Sequence, residues 1–210
     1  MGLNEYFDKI YCINLSHRVD RWKDCMEQFN KYNINVKRFD AINGNEVTPN
    51  GVKVNGNGPD LLPGEVGVIR SNYEVINDAK ENGYKKIIIF EDDVELCDDF
   101  NERFELHYKK TPNDWKLIYM GGNHVGGMLP INNKVAKIKH SYAIHAVCIH
   151  EELYDHLLTK LKQENVAADV TYAQLQNKFP SYVFRPHLAW QKDGHSDIQG
   201  GYQNYDFLKK

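Results

Sequence analysis

Residues Lys85-Lys86-Ile87-Ile88-Ile89-Phe90-Glu91-Asp92-Asp93-Val94 constrain the fold of this chain more than any other stretch. Three consecutive isoleucines and a phenylalanine read as a buried strand, because β-branched and aromatic side chains suit a pleated surface covered on both faces. The run ends on three adjacent carboxylates. In open α/β sheets ligands sit just beyond the carboxyl ends of the strands. Three negative charges there repel one another unless a cation or a set of donors offsets them. Side chains alternate along an extended chain, which sets Glu91 and Asp93 on one side and Asp92 on the other. Two carboxylates on one face make a hard oxygen site of the kind that Mg²⁺ or Mn²⁺ takes. The same residues also read as a solvated acidic turn that caps the next helix.

Other segments supply the frame around that strand. Ile10-Tyr11-Cys12-Ile13-Asn14-Leu15 reads as a first strand, and Ser16 as the cap of a helix carrying Val19, Trp22, Met26 and Phe29 on one face. A second strand falls in 36–42. From 44 to 64 the chain is rich in Gly, Asn and Pro, with Asn43-Gly44, Asn50-Gly51 and Asn55-Gly56 pairs that mark turns. A loop of that length is more often functional than accidental. The next helix presents Val66, Ile69, Tyr73 and Ile76 on one face and stops at Gly83. Asp98 or Asp99 is placed to cap a short helix with Phe100, Phe104 and Tyr108. Further strands fall at 116–120, 143–149 and 182–184, a helix carries Leu153, Leu157 and Leu161, and a second Gly- and Asn-rich loop spans 121–133. Alternating strands and helices predict an α/β fold, a mostly parallel sheet flanked by helices. Neither a repeat nor a linker interrupts it, so one domain over 1–210 is expected.

Composition removes several function classes. The net charge of −3, from 26 Lys+Arg and 29 Asp+Glu, lacks the basic excess of a nucleic-acid binder. Mean hydropathy is −0.62, and no apolar run approaches the roughly 20 residues of a membrane span. The start of the chain has no basic region followed by an apolar stretch, so no signal peptide is expected. Cys12, Cys25, Cys97 and Cys148 form no CxxC pair, which predicts buried free thiols, a reducing cytoplasmic setting and no zinc. Neither GxGxxG nor GxxxxGK[ST] occurs, so the usual phosphate cradles of dinucleotide and P-loop proteins are missing.

With those readings removed, the layout resembles a GT-A glycosyltransferase, specifically glycosyltransferase family 25, which includes lipopolysaccharide and collagen galactosyltransferases. The resemblance covers nearly the whole chain. It starts at Ile13-Asn14-Leu15 with Arg18 and Arg21. It continues through Ala41-Ile42-Asn43-Gly44 and Gly64-Glu65-Val66-Gly67-Val68. Its centre is Phe90-Glu91-Asp92-Asp93, and it ends on Gln191 and His195-Ser196-Asp197-Ile198. Asn72 follows Ser71 where the family has a His.

The resemblance implies a metal-dependent, inverting transfer of a hexose. The donor is a nucleotide-diphosphate sugar, in first place a uridine-diphosphate galactose, and the acceptor a hydroxyl of a glycan or lipopolysaccharide-type glycoconjugate. Mn²⁺ or Mg²⁺ is expected on Glu91 and Asp93, with His195 as a late further ligand. Asp92 is expected on the ribose or behind the metal, and Arg18 and Arg21 on the donor phosphates or base, Arg18 ahead of Arg21. Both arginines also read as the solvated face of a helix. Trp190, beside Gln191, is the candidate for stacking on a sugar or base. Asp169, between small apolar residues, is the candidate base for the acceptor, or else an ordinary helix cap. No membrane span is expected, which leaves peripheral contact with a membrane carrying a lipid-linked acceptor compatible. A non-catalytic nucleotide-sugar-binding module and a metal-dependent phosphohydrolase or nucleotidyltransferase are the competing readings.

Overall fold

A computed structural model describes residues 2–54 and 60–209. Its first half runs β1 (Lys9–Asn14), α1 (Val19–Lys31), β2 (Lys37–Asp40), α2 (Gly44–Val47), α3 (Pro63–Glu81), β3 (Lys86–Glu91), β4 (Val94–Leu96), α4 (Phe100–Tyr108) and β5 (Leu117–Tyr119). The second half runs β6 (Asn123–His124), β7 (Met128–Pro130), β8 (Val135–Ile138), β9 (Ser141–Tyr142), β10 (Ala146–His150), α5 (Tyr154–Leu161), α6 (Ala168–Leu175) and β11 (Ser181–Phe184). Three short strands follow: β12 (Ala189–Gln191), β13 (Gly194–His195) and β14 (Tyr202–Gln203).

Eight strands form the central sheet in the order β2-β1-β3-β10-β5-β11-β8-β7. β10 and β8 run against their neighbours, so β2, β1, β3, β5, β11 and β7 all point one way. The α/β class and the mostly parallel sheet are as expected. Alternation along β3 divides two cores. Ile88 and Phe90 face a cluster containing Cys25, Phe29, Phe100 and Phe104 from α1 and α4. Ile87 and Ile89 face Val66, Ile69, Ile76, Leu157 and Tyr172 from α3, α5 and α6. Burial on both faces explains the unbroken apolar run, each such side chain contributing about 1.5–3 kcal/mol.

Several local expectations change. α1 begins at Val19 behind Arg18, with no side-chain cap, and Ser16 lies outside it. The Asn14 amide donates to the Arg18 carbonyl at 3.1 Å and closes the turn instead. Val19 is 65 % exposed, so the buried face rests on Cys25 and Phe29. Asp99 does stand at the start of α4, but in a left-handed conformation (φ 56°) and without a side-chain cap bond. Gly83, with φ of 68°, ends α3 as the pattern predicts.

The stretch 44–64 holds α2 and a bridge from Val52 to Leu61; its Asn55-Gly56 pair lies outside the described residues. The stretch 121–133 contains β6 and β7, of which β7 forms the far edge of the sheet beyond β8. All four cysteines are buried free thiols. Among the described residues no helix is long and apolar enough to cross a membrane.

Candidate active site

β3 ends at Glu91, and Asp92 and Asp93 already belong to the turn that leads into β4. The alternation of an extended strand therefore stops one residue too early to send Asp92 away. All three carboxylates line one cavity of about 320 Å³, within the range of small-molecule sites. Asp92 is fully engaged, accepting from the Asn14 amide at 2.7 Å and from Arg21 at 2.8 Å. Asp93 Oδ2 accepts from the Gln191 amide at 3.3 Å and lies 3.8 Å from Arg21. Asp93 Oδ1 is buried with no hydrogen-bond partner among the described residues.

Burial pushes Asp93 up to about 6, with Arg21 pulling it back and Asp92 adding to the rise. Glu91 is driven well above the usual carboxylate range, first by burial and then by Asp93, Asp92 and Asp169. The three carboxylates crowd one another as the sequence suggests, and the chain offsets part of their charge with Arg21, Asn14 and Gln191.

The remaining deficit decides whether a divalent ion fits. Glu91 and Asp93 offer hard oxygens, and the orphaned Asp93 Oδ1 is a ligand atom without a partner. Mg²⁺ commonly takes one or two carboxylates and completes its shell with water and substrate phosphate. These two residues fit that pattern. His195 does not fit: its side chain is exposed and off both cavities, while its carbonyl accepts from Arg21 at 2.6 Å. Among the described residues no group of three or more His, Cys, Asp or Glu side chains is arranged to hold a metal.

Two further expectations are corrected. Arg21 lines the cavity, whereas Arg18 does not, because Asp20 at 3.0 Å and Asp197 hold its guanidinium. Trp190 lines neither cavity. β12 pairs with β4, which sets Trp190 opposite Glu95, and the indole donates to that carboxylate at 2.8 Å. Gln191, one residue on, does reach the site. The remaining wall is made by close backbone contact. A Cβ on Gly67 would lie 2.6 Å from the Ile42 carbonyl oxygen and 2.9 Å from the Gly44 nitrogen. Only glycine lets α3 approach α2 so closely.

Asp169 occupies a second cavity of about 190 Å³. It is the second residue of α6, with Ala167 in the cap position, so it is not the N-cap. Burial raises its pKa, and the Ala143 backbone N–H lies 3.5 Å from one carboxylate oxygen. Three residues further on, the Tyr172 hydroxyl donates to Asn72 Oδ1 at 3.0 Å. Asn72 is itself part of the first cavity's wall. The two cavities adjoin, sharing Val68, Glu91, Gln191, Ser196, Ile198 and Tyr205.

Tyr205 is the member that sequence reasoning missed. It lies in a polar segment without periodicity, and only folding brings its backbone N–H 2.6 Å from Asp193 Oδ1. No residue of 121–133 lines either cavity, whereas Asn43, Gly44, Asn45 and Gly64 from the borders of the earlier stretch do line the first.

Comparison with known proteins adds four findings. A solved glycosyltransferase involved in glycosylation of the major capsid of PBCV-1 superposes with a TM-score of 0.49 at 9 % identity, over 83 % of this chain and 79 % of that one. Procollagen galactosyltransferase 1-A of Xenopus laevis is 31 % identical over 131 residues, 55 % of this chain and 21 % of the relative. A probable inactive glycosyltransferase 25 family member 3 of Rattus norvegicus is 29 % identical over 135 residues, 57 % of this chain and 23 % of the relative. The chain thus spans less than a quarter of the length of these curated relatives. The model of the family described as glycosyltransferase family 25 (LPS biosynthesis protein) matches residues 7–168, well over half of the sequence. The chain belongs to glycosyltransferase family 25.

Proposed function

We propose that this chain is a metal-dependent, inverting glycosyltransferase of GT-A type, a single cytoplasmic domain. It moves a hexose, in first place galactose, from a uridine-diphosphate sugar to a hydroxyl of a glycan or glycoconjugate. One observation carries the reading: two adjoining cavities share Glu91, with Arg21 and the strand-end carboxylates in the first and Asp169 in the second.

Arg21 supplies the positive charge against which a donor diphosphate rests, and its bonds to Asp92 and the His195 carbonyl keep the guanidinium in place. Glu91 and Asp93 would hold Mn²⁺ or Mg²⁺, which offsets the charge that develops on the departing diphosphate. Asp169 accepts the acceptor's proton as the hydroxyl oxygen attacks. Its raised pKa brings it closer to the neutral range in which a general base works best. Attack from the second cavity on a sugar held in the first is a single displacement, which inverts the anomeric centre. The galactosyltransferase named among the relatives supports galactose as the first donor to test.

A nucleotide-sugar panel scored for nucleoside diphosphate release, with metal and with chelator, tests this reading. The expected result is release of uridine diphosphate that requires metal and stops on chelation without unfolding. Release of phosphate or pyrophosphate would instead identify a phosphohydrolase or nucleotidyltransferase. Tight donor binding with no release would identify a binding module, the reading favoured by the relative named as inactive.

A further inference from the structure

We infer that the second cavity is an acceptor subsite that takes a sugar or polyol hydroxyl free of anionic groups and rejects phosphorylated or carboxylated acceptors. This inference rests on the transferase reading above and concerns the class of substrate that reading leaves open.

The lining of the cavity carries the argument. Its ionisable acids are Glu65, Glu91 and Asp169, and no Lys, Arg or His lines it. Arg21 lines the first cavity and not this one. Arg70, on α3, holds both oxygens of Glu164 at 2.5 and 3.1 Å. An acceptor phosphate placed here meets carboxyl groups and finds no Lys, Arg or His to neutralise it, and a divalent ion on Glu91 and Asp93 would be taken up by the donor diphosphate. None of the three acids supplies positive charge. Discrimination by an unpaired like charge is a common route to specificity.

The rest of the wall suits an uncharged sugar. Gln191, Ser196, Gln199 and Tyr205 offer neutral donors and acceptors for hydroxyl groups, while Val68, Ile144 and Ile198 offer an apolar face for ring C–H bonds. Ala143, Ala167 and Ala168 keep the approach to Asp169 open. The first cavity holds Arg21 and therefore suits the anionic donor, so the charge difference sorts the two substrates. In the step itself the acceptor oxygen bonds to the anomeric carbon and the bond from that carbon to the diphosphate oxygen breaks. The acceptor proton passes to Asp169, and the electron pair leaves with the nucleoside diphosphate.

Saturation-transfer NMR on the whole chain, held with uridine diphosphate and Mg²⁺, tests the inference. The probes are the methyl glycosides of glucose, galactose and mannose, each offered as the neutral sugar, the 6-phosphate and the uronate. At least one neutral glycoside is expected to bind, with both of its anionic forms weaker by about tenfold or more. Glu65→Gln keeps the acceptor atom that caps the Leu62 N–H at 2.8 Å and should narrow the gap towards the anions. Ala167→Leu should abolish glycoside binding and leave uridine diphosphate affinity unchanged. Equal binding of anionic forms, no binding of any neutral glycoside, or full glycoside binding in Ala167→Leu would each overturn the inference. Selective neutral binding together with no donor turnover would uphold it and sink the transferase reading instead.

Discussion

Asp93 holds its proton more tightly in the folded chain than outside it, near 6 against an ordinary 3.8. Between those pH values the folded state binds a proton that the unfolded state has released. Stability contributed by this group is therefore intact below about 4 and is lost as pH rises to about 6, by at most about 3 kcal/mol. In chelator-treated protein, Asp93→Asn should remove that loss, so its melting temperature should exceed wild type at pH 7 and match it at pH 4. Parallel pH profiles for the two proteins would show that Asp93 is not strained. Asp169 poses a different question, that of the proposed proton transfer. Asp169→Asn should keep fold and nucleotide affinity while transfer falls by about 10²–10⁴, and steady-state kinetics beside a uridine diphosphate titration separates the two effects. At this scale the sequence was informative about chemistry and less so about direction. The three carboxylates announced a charge problem, but Arg21 rather than Arg18 answers it, because neighbouring Asp20 and the distant Asp197 claim Arg18.

Among the elements, β3 was readable because an unbroken apolar run marks a strand covered on both faces, and α3 because its apolar residues repeat at the spacing of one covered helix face. The junction between α2 and α3 was not. Its Gly-rich composition suggested turns, whereas Gly44 and Gly67 serve to let two helices touch along the wall of the first cavity. Gly67→Ala should cost about 1–3 kcal/mol through overpacking against the Ile42 carbonyl and Gly44, measured by denaturant unfolding with an unchanged m-value. Nucleotide affinity should fall with it, since the displaced residues line the cavity. Trp190 shows the opposite failure of local reasoning. Its neighbours in sequence suggested the site, yet strand pairing with β4 sends the indole to Glu95 and delivers Gln191 instead. Pairings of that kind are set by residues nearly a hundred positions away and leave no local signature.

For the whole molecule, the alternation of strands and helices was enough to give the sheet and its two cores, since periodicity and burial act over long stretches. The last segment escaped that reading. Beyond β12 only Ser196 and Leu208 are buried through 209, yet Ser196, Ile198 and Tyr205 complete both cavities. Polar ties hold the segment down, chiefly Arg18 to Asp197, Arg21 to the His195 carbonyl and Lys192 to Asp24. Hydrogen exchange in 192–209 should be fast in the free protein and slow markedly when uridine diphosphate and metal are bound. Unchanged exchange would mean that the segment is rigid beforehand.

The order of these pieces along the chain also sets an order in time. The last strand of the central sheet ends at Phe184, and the residues that finish the cavities come after it. Domains tend to fold as units from the N-terminal side during synthesis. A ribosome that has released residues as far as β12 therefore carries almost all of the core, while the first cavity still lacks Ser196, Ile198 and Tyr205. Folding competence precedes completion of the cavities by a short stretch of translation.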